Sequence, residues 1–470
     1  MTSPVPAIVV GGGISGLVCA YALRKAGADA LVVESSARVG GVIRSERRDG
    51  YLLEFGPQSF SGTAALRALC SDLDIADQVL QAPAGAPRYV LINGTLKAVA
   101  LSPPAMLTSS LLSTGTKWKI VRDAFGRSQP PERDESIAEF VRRKFGAELL
   151  DRLAGPFVSG VYAGDPERLS LRSAFPQLRE AEELAGSVIR GMIGTAKTRK
   201  GAREKPTLLS FREGNETLVR AIAAKMGTGL RLSSEVAGIQ LRREQGKARF
   251  EVRIRSVGKD DALIAERLVM AAPAEVAGAL LRDVNPAFEP VLCGIEYAPV
   301  AVVSLGYRRA HVGHSLEGFG FLAPRSSGLR VLGTVWNSSL FSDRAPDGYV
   351  LLTSFVGGAT DPQAAALPAE ALASLVHGEI APLLRVGAAP EFINVQIYPR
   401  ALPQYNIGHR ERLAALDNLQ AQTPGLFFVG NYLQGPAIGA CVEQATAVAE
   451  HLRASAQIIL PYSLTGDEGA

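Results

Sequence analysis

Cysteine and histidine are scarce in this sequence of 470 residues, with four of the first and five of the second. The cysteines lie far apart and form no Cys-x-x-Cys pair, which disfavours a disulfide scaffold and a cysteine-bound zinc ion. The histidines show no spacing typical of a metal site. We therefore expect no metal, and a chemistry that a bound organic cofactor supplies.

Long apolar runs and a large excess of one charge are also missing. No run reaches the roughly 18 apolar residues that a membrane-spanning helix needs. The net charge of +4 is too small for a nucleic-acid-binding arm. No basic stretch precedes the first apolar run, which argues against a secretory leader. We expect a cytoplasmic protein of about three domains that binds no nucleic acid.

The start of the chain carries an apolar β-rich run, a glycine-rich turn, an amphipathic helix and a second apolar run. Gly11, Gly13 and Gly16 match Gly-x-Gly-x-x-Gly, which permits a tight turn, close approach of a pyrophosphate and close helix packing. Glu34 ends the second run, where a carboxylate accepts hydrogen bonds from a ribose and disfavours a 2′-phosphate. The pattern favours a Rossmann-like dinucleotide site, and a glycine turn without a ligand is the alternative.

A second glycine pair, Gly40 and Gly41, follows Arg38. Residues 34–41 read Glu-x3-Arg-x-Gly-Gly, which resembles the N-terminal signature of the FAD-binding amine oxidase superfamily. The resemblance implies that FAD is the cofactor and that this loop lies against it. The alternative reading is that Arg38 only caps its own loop.

Later motifs narrow the resemblance to the oxygen-dependent protoporphyrinogen oxidase family. Residues 50–60, 159–166, 316–322, 403–409 and 425–441 are similar to segments of that family and occur in the same order. The residues expected to contact FAD are Gly11, Gly12, Gly13, Ile14, Ser15, Gly16, Glu34, Ser35, Arg38, Gly40, Gly41, Gly56, Pro57, Gln58, Ser59, Val236, Gly430, Asn431, Ala437, Ile438 and Gly439.

Two positions depart from the family pattern. Gln58 stands where the family usually has asparagine facing the flavin, and Tyr398 stands where it usually has tryptophan. Both replacements keep the hydrogen-bonding or ring character of the usual residue. They leave the family resemblance intact but put the detailed contacts of the cofactor in doubt.

The resemblance implies a six-electron oxidation of protoporphyrinogen IX to protoporphyrin IX, with three O2 reduced to H2O2, in haem biosynthesis. It implies a propionate contact at Arg88, ring contacts at Leu322, Val335 and Phe355, and room for the reacting carbon at Gly160. No residue is assigned as a catalytic base. From the residues alone, Arg88 is a surface arginine on a strand and the three apolar residues are core.

Other functions stay open at this stage. The nearest alternative is oxidation of coproporphyrinogen III to coproporphyrin III, whose four propionates would need further cations around the pocket. More distant alternatives are an amine oxidase, which needs an aromatic pair for the amine, and a carotenoid desaturase, which needs a longer apolar tunnel. A flavin-bound scaffold or electron-transfer module without an enzymatic reaction is the non-enzyme alternative.

The predicted fold class is α/β, with a discontinuous Rossmann-like FAD-binding domain, because the cofactor motifs lie at both ends of the chain. An α+β substrate domain and a mostly helical, membrane-associated domain are inserted into it. The predicted parts are 1–85, 208–280 and 416–455 for the FAD-binding domain, 86–105 and 281–415 for the substrate domain, 106–207 for the helical domain and 456–470 for a tail.

The predicted helical domain, residues 106–207, concentrates the positive charge, with 18 Lys or Arg against 13 Asp or Glu. Basic residues interleaved with apolar ones between 109 and 125 are typical of a helix that lies on an anionic membrane. A solvated basic face over a helical core is the alternative. Residues 196–205 are interpreted as a loop. The resemblance also implies peripheral attachment to the cytoplasmic membrane face, and a homodimer.

Overall fold

The computed structural model describes residues 5–99, 103–198, 207–244, 247–256 and 258–457. Over these residues the chain is a mixed α/β protein, which confirms the predicted fold class. No helix in the described part of the chain is long and apolar enough to cross a membrane. The predicted tail falls outside the described residues, apart from its first two positions.

The elements of the amino-terminal half begin with a strand, a helix and a second strand. They are β1 (Val5–Val10), α1 (Ile14–Lys25), β2 (Ala30–Val33), β3 (Ser45–Arg48), β4 (Tyr51–Glu54), β5 (Phe60–Ser61), α2 (Ala64–Asp72), β6 (Val79–Gln81), β7 (Arg88–Ile92), β8 (Thr95–Ala98), α3 (Pro103–Thr108), α4 (Thr114–Phe125), α5 (Ile137–Lys144), α6 (Ala147–Leu149), α7 (Gly155–Tyr162), α8 (Leu171–Ala174), α9 (Pro176–Ala185), α10 (Val188–Thr198), β9 (Leu208–Phe211) and α11 (Glu216–Met226).

The carboxy-terminal half carries the long strands and ends on a long helix. Its elements are β10 (Leu230–Arg231), β11 (Ser234–Glu244), β12 (Lys247–Ser256), β13 (Lys259–Met270), α12 (Ala274–Leu281), α13 (Phe288–Cys293), β14 (Tyr297–Arg308), β15 (Gly320–Leu322), β16 (Val331–Trp336), α14 (Asn337–Leu340), β17 (Tyr349–Gly357), α15 (Ala369–Leu384), β18 (Phe392–Pro403), α16 (His409–Ala421), β19 (Leu426–Phe428) and α17 (Ile438–Gln457).

The first large sheet is built from distant segments of the chain. Its parallel part has the order β10-β2-β1-β13-β19, and β12 and β11 extend it as an antiparallel hairpin on β13. Apolar residues of β1 are buried on both faces, as strands in a parallel layer require. α1 and α17 cover one face, so segments near both chain ends and from the middle build a single layer.

The second large sheet has the order β18-β14-β17-β16-β15-β7-β8. One face packs on α15 through a core that includes Trp336, Leu352 and Val376. The other face carries part of the candidate site described below. Strands β7 and β8 join β15 across more than 200 residues of sequence, as the predicted two-part substrate domain requires, although the domain boundaries themselves stay predictions.

Residues 208–211 do not enter the first sheet. They form β9, which pairs with β5 and β6 in a small separate sheet. The predicted loop over residues 196–205 is wrong at its start, because α10 runs to Thr198. The rest of that loop, from residue 199 on, lies outside the described residues.

Buried charges hold the helices of residues 103–198 together. Glu182 on α9 is fully buried and accepts hydrogen bonds from Arg143, from Ser128 and, through an ion pair, from Lys144. Burial alone would raise the pKa of Glu182, but these donors lower it to about 2. Lys144 also pairs with the buried Asp123 of α4, so one network links α4, α5 and α9.

Replacing Glu182 by glutamine weakens its contacts with Arg143 and Lys144, which keep Glu135 and Asp123 as buried partners. We therefore expect the free energy of unfolding at pH 7 to fall by about 1.5–3 kcal/mol. Because the folded-state pKa lies below the ordinary value of 4.5, the stabilisation by Glu182 is complete above that value and is lost as the pH falls toward 2. Urea unfolding followed by circular dichroism at pH 7 and pH 3 measures both effects.

The adjacent Glu183→Gln is the matched control. Glu183 pairs with Arg179 on the same helix but is about half exposed, so its loss should cost less than about 1 kcal/mol. Equal losses in the two variants would contradict the assigned role of the buried network.

Candidate functional site

Each glycine of the turn after β1 has a different structural role. A Cβ on Gly16 would lie 2.1 Å from the carbonyl oxygen of Gly11, so only glycine lets α1 pack here. Gly11 has a positive φ of 110°. Gly13 has no atom within 4 Å of its missing Cβ, and it begins α1 without a side-chain cap. The first N–H groups of a helix have no partner within it, and the open position at Gly13 lets an anion such as a pyrophosphate approach them.

Glu34 lies beside this turn but is engaged by its own surroundings. Its carboxylate accepts a hydrogen bond from the backbone N–H of Gly12 at 2.6 Å and from the backbone N–H of Ser36 at 2.8 Å. The hydroxyl of Ser35 lies 3.4 Å from the same carboxylate. Val236 lies near Glu34, because the backbone N–H of Ser234, at the start of β11, donates a hydrogen bond to the carbonyl of Glu34.

The second glycine pair lies directly against the first. The backbone N–H of Gly40 donates to the carbonyl of Gly12, and a Cβ on Gly41 would lie 3.5 Å from the Cα of Gly13. Arg38 donates to three carbonyl oxygens of its own loop, those of Val39, Gly41 and Ile43. In this structure Arg38 shapes the loop, which supports the capping alternative for its side chain.

The loop of residues 56–59 continues from this pair. A Cβ on Gly56 would lie 2.3 Å from the carbonyl oxygen of Val42, so the two loops are packed backbone to backbone. Gln58 is buried and donates to the carbonyls of Glu54 and Gly56, which fixes its amide group. Pro57 accepts a hydrogen bond from Asn215, and Ser59 is half-buried.

Sequence reasoning missed Asn337, which contacts this loop from the second sheet. Its side-chain amide donates to Oε1 of Gln58 at 2.7 Å. Asn337 stands directly after β16, and a single asparagine at the end of an apolar strand was the only signal available. The pair joins the loop of residues 56–59 to the sheet opposite.

The carboxy-terminal helix α17 brings the last predicted cofactor residues to the same place. Cys441 in its first turn has a side-chain hydrogen bond with Ser15 in the first turn of α1. A Cβ on Gly439 would lie 2.7 Å from Thr63, so this turn is held closely. Ile438 is buried and Ala437 is exposed just before it. The amino termini of two helices therefore converge, both able to stabilise negative charge.

Residues 430 and 431 follow β19 on the same edge of the first sheet. The backbone N–H of Gly430 donates to the side chain of Gln444, and the carbonyl of Asn431 accepts a hydrogen bond from Tyr405. Ile14 is half-buried in the first turn of α1. The predicted cofactor residues from both chain ends thus come together at the carboxyl end of the parallel strands of the first sheet.

The predicted ring and propionate contacts lie on one face of the second sheet. Arg88 and Val335 are both register partners of Gly320, and Phe355 is in register with Gly333, the partner of Leu322. Residues in register across strands point to the same face, so these four side chains share it. Arg88 is exposed and its guanidinium lies over the ring of Phe319 at 5.5 Å.

Gly160 on α7 packs against this group. A Cβ there would lie 2.6 Å from Cδ2 of Leu322, so the leucine side chain occupies the space next to the glycine. Gly160 therefore lets α7 pack closely on Leu322, and its predicted contact with the substrate stays a prediction.

Tyr398 connects the sheet face to the cofactor loops. It is in register with Val300, which pairs with Gly357, so its ring lies on the face that carries Phe355. Burial raises the pKa of Tyr398, while the charges of Arg38 and Arg44 act in the opposite direction. That influence indicates that this end of the sheet face lies toward the glycine loops.

Comparisons with known proteins agree with this geometry. Residues 14–453 match the family model described as flavin containing amine oxidoreductase. Over 469 residues the chain is 34% identical to the chloroplastic protoporphyrinogen oxidase of Nicotiana tabacum, covering 95% of this chain and 85% of that protein. This chain belongs to the protoporphyrinogen oxidase branch of the flavin-containing amine oxidoreductases. The family resemblance drawn from the motifs is thereby confirmed.

Two further matches describe the breadth of the family. The coproporphyrinogen III oxidase of Bacillus subtilis is 29% identical, over 94% of this chain and 96% of its own. A crystal structure of a candidate protoporphyrinogen oxidase from Exiguobacterium has a TM-score of 0.79 at 24% identity, covering 97% of this chain and all of that one. The structural likeness supports the fold.

FAD is the cofactor of this oxidoreductase, as predicted, and the residues present fit it. The uncapped amino terminus of α1 and the open position at Gly13 suit a pyrophosphate. Glu34 and Val236 lie near each other, as the predicted adenosine contacts require, although the Glu34 carboxylate already accepts hydrogen bonds from Gly12 and Ser36. The individual contacts stay predictions.

Alanine at Gly16 and alanine at Gly13 should impair the protein in different ways. Gly16→Ala places a methyl group against the Gly11 carbonyl and Ala271, so we expect the flavin-free protein to lose about 1–3 kcal/mol of stability and to melt earlier. Gly13→Ala meets no protein atom, so the flavin-free protein should keep its melting temperature but bind FAD more weakly. Calorimetry and flavin fluorescence quenching measure the two effects. Unimpaired FAD binding by Gly13→Ala would contradict the assigned phosphate position.

Proposed function

We propose that this protein oxidises protoporphyrinogen IX to protoporphyrin IX. The overall reaction removes six electrons and six hydrogens from the tetrapyrrole and converts three O2 to three H2O2. FAD, when bound, supplies the hydride acceptor and the reaction with oxygen. The relatives named protoporphyrinogen oxidase support the substrate, and the arrangement of the sheet face supports it independently.

The observation that carries this proposal is the shared sheet face. Leu322, Val335 and Phe355 present aliphatic and aromatic surface toward the cleft, and Arg88 stands on β7 beside them. A flat apolar macrocycle with carboxylates on one edge matches such a surface, because the rings are desolvated while the carboxylates meet a cation. An arginine fits this role well because its planar guanidinium pairs with a carboxylate through two parallel hydrogen bonds.

The residues of the chain position and shield the reactants in this proposal. Gly160 keeps α7 close to Leu322, so the helix closes one side of the apolar face. Gln58 and Asn337 hold the loop of residues 56–59 against the end of β16. We assign no protein group to proton transfer at the macrocycle.

Coproporphyrinogen III is the alternative substrate, and the Bacillus subtilis relative named for it is the specific observation in its favour. It carries four propionates instead of two, so it places two further carboxylates around an otherwise similar ring. Direct comparison of the two substrates decides between them.

Anaerobic mixing of the FAD-loaded protein with each porphyrinogen tests the function. We expect protoporphyrinogen IX to bleach the flavin absorbance near 450 nm, about where oxidised flavins absorb, and admission of O2 to restore it with formation of protoporphyrin fluorescence. Bleaching by coproporphyrinogen III alone would replace the proposed substrate. Bleaching by neither would contradict the function.

The variant Arg88→Ala tests the proposed contact with a substrate carboxylate. Loss of one charge-assisted contact should weaken substrate binding by about 1.5–3 kcal/mol, seen as a higher KM with a smaller change in kcat. Arg308→Ala removes an exposed arginine from the far part of the same sheet, where it pairs with Glu391, and should leave KM unchanged. An unchanged KM in Arg88→Ala would remove this arginine from the site.

We also propose that the helical region binds an anionic membrane surface, from the cytoplasmic side as the resemblance implies. Trp118, Arg122 and Phe125 follow each other on the solvent side of α4, and Trp118 is 66% and Phe125 85% exposed. Leu184 is 78% exposed near the end of α9. Exposed large apolar groups beside basic ones suit a lipid headgroup region. A homodimer stays a prediction of the resemblance.

Co-sedimentation with phosphatidylglycerol vesicles tests this surface. We expect binding at low salt that weakens at high salt, because salt screens the attraction between basic residues and anionic lipids. The double variant Trp118→Ala, Phe125→Ala should lose binding several-fold, because each methylene buried in the lipid contributes about 0.8 kcal/mol. Ile393→Ala, which removes an exposed apolar residue from β18, is the control and should bind normally. Equal binding by the double variant and the control would contradict this proposal.

A further inference from the structure

The segment of residues 403–409, between β18 and α16, lies across the chain that follows α7. The backbone carbonyl of Tyr405 accepts a hydrogen bond from Ser170 at 2.8 Å. The side-chain amide of Gln404 donates to the carbonyl of Tyr162, the last residue of α7, at 2.9 Å. The segment is therefore fixed to the helix that carries Gly160.

Tyr405 carries this connection on to the cofactor side of the molecule. Its side chain is 1% exposed, and its phenol O–H donates to the carbonyl of Asn431. This buried hydroxyl thus ties the segment of residues 403–409 to the loop of residues 430–437, which leads into α17.

His409 supports the ring of Tyr405 from one side. The two rings are stacked at 4.4 Å between centroids with an interplanar angle of 7°. Burial lowers the pKa of His409 to about 4, with the nearby Arg412 acting in the same direction, so the ring is neutral at working pH. A neutral, flat and buried partner holds the phenol without placing a charge next to the cofactor loop.

We infer that Tyr405 is a positioning residue that sets the separation between the loop of residues 430–437 and α7. It acts through the hydrogen bond of its hydroxyl to Asn431, and through the attachment of its own segment to Tyr162 and Ser170. Because the predicted flavin contacts and Gly160 lie on the two sides of this bridge, its loss should loosen the cofactor before it affects binding of substrate. The inference rests on the proposed function for its effect on turnover, but its effect on FAD does not.

Tyr405→Phe removes only the hydroxyl, and Tyr162→Phe is its matched control. Tyr162 is also buried, its O–H also donates to a backbone carbonyl, that of Ala174 at 3.0 Å, and its ring centroid lies 5.6 Å from that of Tyr405. Both variants lose one buried hydrogen bond. We expect Tyr405→Phe alone to raise the Kd of FAD about threefold to tenfold, with an altered visible spectrum of the bound flavin and a lower kcat at similar KM.

A second pair of variants keeps the test decisive if Tyr405→Phe does not fold. His409→Ala removes the stacking partner and should weaken FAD binding, whereas His409→Phe restores a flat ring and should recover it. Unchanged FAD affinity and spectrum in both Tyr405→Phe and His409→Ala, or equal effects in Tyr405→Phe and Tyr162→Phe, would overturn the inference. FAD affinity is measured without substrate, so a loss confined to Tyr405→Phe sustains the inference even if neither porphyrinogen is oxidised.

Discussion

The structure depends on the close approach of two glycine loops at the amino terminus of α1. A Cβ on Gly16 would clash with the carbonyl of Gly11, and Gly41 lies in van der Waals contact with Gly13, while the position in front of Gly13 stays open. This packing exposes backbone N–H groups to one opening, where the positive end of the helix favours an anion. The cofactor site follows from backbone geometry more than from charged side chains.

The second sheet then has to face this opening at a defined distance. Asn337 and Tyr398 contact or approach the glycine loops from the sheet, and Tyr405 ties the loop before α17 to the end of α7. Each of these contacts joins segments more than a hundred residues apart, except for the hydrogen bond between Tyr405 and Asn431, which are 26 residues apart. Polar groups therefore hold the cleft from several sides, because a buried polar group without a hydrogen-bond partner costs free energy.

The sequence predicted the parts whose cause is local. The turn that contains Gly11, Gly13 and Gly16 could be predicted because strand, glycine spacing and helix are adjacent in the chain. The family resemblance predicted roles for Arg88, Leu322, Val335 and Phe355. Contacts between distant segments could not be predicted. Leu322 fills the space beside Gly160 and Asn337 holds Gln58, because each outcome depends on how distant segments align.

The central claim is that FAD and a porphyrin occupy one cleft between the glycine loops and the face of the second sheet. A crystal structure of the protein with FAD and the unreactive product protoporphyrin IX tests it most directly. The account predicts the flavin ring between the loop of residues 56–59 and the sheet, with the porphyrin on Leu322 and Phe355 and a carboxylate at Arg88. A porphyrin bound on another surface, with this sheet face empty, would contradict it.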